Sequence, residues 1–228
     1  MPEICAVDRG ELEAFVRQGY LIAKNSVRPY SGRNGLRRDR VVLVVHGLFA
    51  AGGVFEPLRK RIERECGLRT FDFTYSPLRA FEDVARDLAR AFDQIAQSGA
   101  QVSIVGHSLG GLVARWLVQE LKYAPRVDRI VTLATPHAGT TLARLGPTSL
   151  IRAIQPSSKV MRALRDSSGE LASIRCVAMG ADGDSMISPT SSSIAWPEAK
   201  TQWFTGLGHN AMLFDGRVHD AVVDALSD

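Results

Sequence analysis

Residues 106–110 read Gly-His-Ser-Leu-Gly, following the apolar run 102–105 and opening a stretch that begins GLVARWL. A serine between a strand and a helix, with glycine two places on either side, suits a tight turn that lifts the hydroxyl clear of the backbone. Ser108 would then stand at the carboxyl end of a strand, where open sheets bind ligands. The helix N-terminus beneath it favours developing negative charge. The chemistry this allows is nucleophilic attack on a carbonyl carbon, provided that a base takes the hydroxyl proton.

The chain has five histidines, so the base can be sought by elimination. His107 adjoins Ser108 and cannot readily turn back to it. His46 ends the run VVLVV within His-Gly and suits a donor loop better. His219 falls in the last helical stretch, on an expected solvent face. His137, after RIVTLAT, and His209, in Gly-Leu-Gly-His-Asn, remain. His209 is favoured, because the chain order serine, acid, histidine accompanies an elbow of this kind. The acid belongs in the loop after IRCVAMG, which offers both Asp182 and Asp184. Either carboxylate would hold the imidazole tautomer and stabilise its cation; Asp184 is preferred and Asp182 stays open. A tetrahedral intermediate needs donors aimed at its oxyanion. The N–H of Leu109, next to the nucleophile, is one candidate. The N–H of Leu48, in His46-Gly47-Leu48-Phe49, is the second, and Phe49 is a candidate wall of the substrate site.

These groups must be positioned by a scaffold, and the hydrophobic pattern supplies one. Short β-branched runs at 41–45, 68–75, 102–105, 129–134, 174–179 and 201–205 read as about six strands. Helical periodicity fills 54–65, 79–97, 109–122 and 211–226 between or after them. Such alternation predicts a mostly parallel sheet with helices on both faces. Residues 141–170 interrupt the alternation with a helical stretch whose apolar residues are expected to be exposed (Leu142, Leu145, Leu150, Ile151, Ile154, Val160, Met161, Leu164), placed where a short cap over the site would sit. Residues 1–40 form a separate leader. It comprises an amphipathic helix over 9–24, with apolar Leu12, Phe15, Val16, Leu21 and Ile22, and a basic connector. The catalytic domain then spans 41–228.

A length of 228 residues, 45% hydrophobic and 23% charged, suits one globular domain. Net charge is +4. The basic residues Arg17, Lys24, Arg28, Arg33, Arg37, Arg38 and Arg40 cluster in the leader and allow peripheral contact with an anionic membrane. Aromatic residues are not interleaved with them as a nucleic-acid platform requires. Cys5, Cys66 and Cys176 are too few and too scattered for a disulfide framework or a metal site. No cofactor is expected. The absence of a long apolar run near the start predicts a cytoplasmic protein.

Taken together, VVLVVHGLFA (41–50), VSIVGHSLGGLVARWL (102–117), IVTLATPHAGT (130–140), MGADGDSMISP (179–189) and GLGHNAML (206–213) resemble the small bacterial lipase/esterase branch of the α/β-hydrolase superfamily. The resemblance covers about 41–226. It implies Ser108, Asp184 and His209 as a triad, Leu48 and Leu109 as oxyanion donors, and a structural role for the Thr-Pro-His turn that holds His137. It further implies a carboxylic ester as small-molecule substrate. Acyl transfer, thioester or amide cleavage by the same triad are alternatives, and a non-catalytic lipid- or partner-binding module is a third.

Overall fold

The structure, a computed structural model, describes residues 9–32, 36–96 and 99–227. Cys5 and Arg33 lie outside the described residues. Six strands, β1 (Arg37–Val45), β2 (Leu68–Phe73), β3 (Gln101–His107), β4 (Val127–Leu133), β5 (Arg175–Ala181) and β6 (Lys200–Phe204), form one sheet in the order β2-β1-β3-β4-β5-β6. Every neighbouring pair is parallel. The mostly parallel sheet with helices on both faces expected from the alternation is the one observed.

The strands are apolar throughout because both faces are covered. Val41, Leu43 and Val45 of β1 enter one core with α3 (Phe81–Ile95) and α4 (Leu109–Gln119). Val42 and Val44 enter the opposite core with α2 (Glu56–Glu65) and α7 (Gly216–Ser227). The order places β2 on one side of β1 and all later strands on the other. The crevice between the carboxyl ends of β1 and β3 is therefore the switch point at which such sheets bind ligands. It opens beside Leu48 and Ser108.

Three expectations are corrected. The helical insertion between β4 and β5 comprises α5 (Ser149–Arg152), α6 (Lys159–Asp166) and two flanking single turns. Its apolar residues are mostly not exposed: Leu150, Ile154, Val160, Met161 and Leu164 are buried in the main core, and only Leu142 and Leu145 are largely open to solvent. The carbonyl of Leu164 accepts from Arg115 and Gln119 of α4, which binds α6 to the body. His219 is buried, not solvent-facing, and its Nε2 is 2.8 Å from the Leu213 carbonyl.

The third correction concerns α1 (Arg9–Val27). The amphipathic helix expected over 9–24 is present, but Leu12, Phe15 and Val16 of its apolar set do not form the packed face. The buried residues are instead Glu11, Ala14, Gln18 and Leu21, while Leu12, Phe15, Val16 and Tyr20 are exposed. The helix packs on the turns at Gly52–Phe55 and Ala211–Leu213. Polar partners decide which face turns in. Lys24 Nζ and Asn25 Nδ2 donate to the buried Glu56 at 2.6 and 3.0 Å, and Glu11 binds the loop after β6. The leader helix is thus a packed wall of the main body. Of the basic residues beside it, Arg17 lies over the Phe214 ring and Arg40 pairs with Asp128.

Candidate active site

Ser108 links β3 to α4 at φ 53° and ψ −125°, a left-handed conformation that a side-chain-bearing residue adopts only when its surroundings impose it. Those surroundings are on either side of it. Ser108 N donates to Leu133 O at 2.9 Å, and Thr135 Oγ1 donates to Ser108 O at 2.9 Å, so β4 clamps the turn. A Cβ at Gly110 would sit 2.2 Å from Val45 O, and one at Gly106 2.5 Å from Gly111 Cα. Glycine is required at both positions by backbone approach.

His209 lies on the loop between β6 and α7, buried to 4% exposure. Its Nδ1 is 2.7 Å from Asp184 Oδ2, and Asp184 is 3% exposed. The other carboxylate oxygen of Asp184 accepts from Met186 N at 2.9 Å and Ile187 N at 3.0 Å. A carboxylate oxygen accepts in this contact, so His209 Nδ1–H is the donor and the carboxylate fixes the orientation of the ring. Asp182 does something else: it is exposed and its Oδ1 accepts from Gly206 N at 2.7 Å, which fastens the start of the His209 loop. Ser108 and His209 share the walls of two pockets. Among the described residues no hydrogen bond joins Ser108 Oγ to the His209 ring. Such bonds commonly tighten only when substrate arrives.

The remaining histidines have structural assignments. His46 is stacked on Tyr75, with ring centroids 4.3 Å apart. Its Nε2 accepts from Tyr75 N at 3.2 Å, so Nδ1 carries the proton and donates to Gly47 O at 2.6 Å. Tyr75 OH donates to His46 O at 2.9 Å. The loop that carries Leu48 is therefore braced from β2 and its extension, a role for Tyr75 that no sequence signal marks. Burial lowers the His46 pKa to about 4, so the brace is neutral at pH 7. His137 receives Arg115 Nη1 on Nδ1 at 3.2 Å, pairs through Nε2 with Thr132 Oγ1 at 2.9 Å, and lies against Trp196. Burial and the adjacent guanidinium hold it neutral. With both nitrogens engaged away from Ser108, it has no route to act there. His107 is also buried and kept neutral, chiefly by desolvation. Its Nε2 lies 3.1 Å from His209 O. A carbonyl only accepts, so Nε2–H is the donor and the elbow ties directly to the backbone of His209.

Two further residues belong to the site although sequence reasoning missed them. Glu11, buried, accepts from Asn210 N at 2.9 Å, from Asn210 Nδ2 at 2.7 Å and from Ala211 N at 3.1 Å. It holds the segment immediately after His209. A Cβ at Gly208 would meet Glu11 Oε2 at 2.3 Å, so the loop's glycine permits this approach. Gln18, two turns further along the same buried face of α1 as Glu11, lines the pocket. Nothing local in the sequence marks them, because their burial is set by the fold.

The pockets form two lobes that meet at Leu48, Ser108, Met186 and His209. One, of about 250 Å³, runs under α1 between Phe15, Gln18, Ile22 and Phe49. Phe49 is 63% exposed and stands at φ 56° on its rim. The other, of about 360 Å³, runs between Leu109, Pro136, Leu142, Ile151, Ile154 and Ile187. The near half of the helical insertion thus walls the site and the far half belongs to the core. The Leu109 N–H is among the first four of α4, which lack partners within the helix. Among the described residues no group of three or more His, Cys, Asp or Glu side chains is placed to hold a metal, and no helix is long and apolar enough to cross a membrane.

A family described as a domain of unknown function, DUF7379, matches residues 12–154, more than half of the sequence. The chain belongs to the DUF7379 family. That match begins inside α1 and includes Ser108, but stops before Asp184 and His209. None of the curated proteins matches the sequence. Among solved structures, the mature lipase BlEst2 of Bacillus licheniformis superposes with a TM-score of 0.73 at 16% identity, over 85% of this chain and 94% of that one. A monoacylglycerol lipase of Paleococcus ferrophilus gives 0.64 at 15% identity, over 86% and 97%. A structure reported with the carboxylesterases of Nitrososphaera gargenis gives 0.60 at 13%, over 86% and 93%. Identities this low establish a shared fold.

Proposed function

We propose that this DUF7379 chain is a serine hydrolase that cleaves carboxylic esters through an acyl-enzyme on Ser108. The observation that carries the reading is the buried Asp184–His209 couple on the wall of the same pocket as a serine held at a left-handed turn. His209 Nε2 takes the Ser108 proton as Oγ attacks the ester carbonyl carbon. The N–H groups of Leu48 and Leu109 receive the oxyanion, each good donor being worth about 3 kcal/mol in the transition state. His209 returns the proton to the departing alcohol. It then activates water, which releases the acid and restores Ser108. Asp184 holds the imidazole in the working tautomer throughout. Fold-level likeness to lipases and esterases supports the same reaction class. Ser108→Ala should abolish hydrolysis of a chromogenic short-chain ester, and labelling by a fluorophosphonate, without lowering the melting temperature. Retained turnover would remove Ser108 from the mechanism.

A further inference from the structure

Exposed apolar side chains gather on one side of the molecule. Leu12, Phe15, Val16 and Tyr20 of α1 are 49% to 68% exposed, and Leu12, Val16 and Tyr20 follow one another at one-turn intervals along its outer side. The loops at the carboxyl ends of the strands add Phe49 after β1, Leu78 after β2, Leu142 and Leu145 after β4, and Met186 after β5. Among the described residues the other exposed large apolar side chains are Val27 and Trp203 alone. The two sets join at the opening of the candidate site. Phe15, Phe49 and Met186 share one lobe with Ser108, and Leu142 and Met186 share the other. The packing of α1 does not require this exposure, since the helix is held by polar side chains of its inner face. Patches of this kind serve partners, either proteins or membranes. Two observations choose between them. On α1 and the segments 46–51, 74–80, 134–152 and 182–189 the exposed charges are Arg9, Arg17, Arg79, Arg144 and Arg152 against Glu13 and Asp182, with Arg79 also paired to Asp87. That excess of cations suits an anionic surface. The patch also surrounds the opening through which an ester must reach Ser108. A protein seated on it, a second copy of this chain included, would shut that opening, whereas a lipid surface would supply substrate through it.

We propose that the outer face of α1 and the apolar loops around the site dock this protein on an anionic lipid surface, with the Ser108 pocket opening onto the lipid. In this arrangement α1 lies in the plane of the surface, its outer side at the boundary of headgroups and acyl chains and its polar side still on the body. The arginines meet the headgroups around it. The contact belongs to α1 and the rim of the site rather than to the basic stretch that follows α1, whose Arg40 is engaged with Asp128. The proposal rests on the esterase reading above and names the surface from which that site takes its substrate.

The test is sedimentation of the full chain with sucrose-loaded vesicles, made either of phosphatidylcholine alone or of equal parts phosphatidylcholine and phosphatidylglycerol. Wild type and Ser108→Ala should both sediment with the anionic vesicles and bind the neutral ones less. Leu12→Gln combined with Val16→Gln removes two exposed apolar side chains, keeps good helix formers and changes no charge. Neither residue lines a lobe of the site. The pair should lower partition onto anionic vesicles at least about tenfold, with the melting temperature unchanged. Turnover of a soluble short-chain ester should stay at the wild-type level, while turnover of a long-chain ester dispersed in the vesicles falls with binding. Leu145→Gln should weaken binding from the other side of the opening. Wild type left in the supernatant would overturn the proposal. So would binding that salt abolishes but these variants leave intact, since charge alone would then account for it. A dimer by light scattering that the paired change dissolves, without vesicle binding, would assign the patch to a second copy and overturn it too. The binding readout needs no turnover, so the two readings fail separately. Loss of ester cleavage and of fluorophosphonate labelling at Ser108 would sink the esterase reading, whereas cleavage without vesicle binding refutes only the docking.

Discussion

Removing the Glu11 carboxylate should damage both stability and turnover, although the residue lies nearly two hundred positions before the histidine it serves. In Glu11→Ala three N–H donors lose their acceptor: Asn210 N, Asn210 Nδ2 and Ala211 N. A hydrogen bond to a charged group is worth about 1.5–3 kcal/mol, and three on one carboxylate are not additive. The carboxylate also sheds its own burial penalty when deleted, which offsets part of the loss. About 3 kcal/mol remains, which for a chain of this size lowers the melting temperature by roughly 6–12 °C. The donors flank His209 directly, so the loop that aims the imidazole loosens as well. A misplacement of about 1 Å at a catalytic group can reduce the rate about a hundredfold. The expected signature is a large fall in kcat with a small change in KM, measured on a chromogenic short-chain ester alongside thermal unfolding by circular dichroism. Glu11→Gln should fall between, since it keeps one acceptor oxygen but turns an amide NH2 towards an N–H. A Glu11→Ala protein that melts within about 2 °C of wild type and turns over within about twofold would refute the clamp.

Asp184→Asn should reduce kcat by about four orders of magnitude through the wrong imidazole tautomer, whereas Asp182→Asn should leave ester turnover within about threefold, since only its bond to Gly206 N changes; paired kinetics of the two variants decide between the carboxylates. Acid should weaken the fold through the buried histidines. His46 is held at about 4 by burial, below its unfolded value of 6.5. The unfolded chain therefore binds a proton that the native chain refuses, and stability is full above pH 6.5 and declines as pH falls towards 4. That difference corresponds to at most about 3 kcal/mol. Burial shifts His107, His137 and His219 in the same direction. Urea midpoints at pH 7.5 and 4.5 should separate clearly, and His46→Gln should narrow the gap; an unchanged gap would mean that His46 is not the titrating brace. Gly110→Ala places a Cβ 2.2 Å from Val45 O, a backbone atom that cannot yield without moving β1. It should cost more than about 3 kcal/mol or leave no soluble enzyme, as read by expression and melting temperature.

The strand–helix alternation, the elbow and the His-Gly loop were legible because each is local: a period of two or of near four residues, a glycine two places from a serine, an apolar run ending at a histidine. Their assembly into a six-stranded parallel sheet follows from the need to cover strands that are apolar on both faces. What the sequence left open was every choice that depends on which groups meet. Asp182 and Asp184 are equivalent as letters; a 2.7 Å contact with His209 Nδ1 distinguishes them. His137 has the same side chain as His209, and Arg115, Thr132 and Trp196 fix it elsewhere. The leader helix was misjudged for the same reason. Hydrophobic periodicity assumes that the apolar face is the one that packs. In α1, long-range hydrogen bonds to the loop of His209 and to Glu56 hold Glu11 and Asn25 against the body and leave Leu12, Val16 and Tyr20 in solvent. A polar residue's preference for the interior is set by its partner, and the partner is known only once the chain has folded.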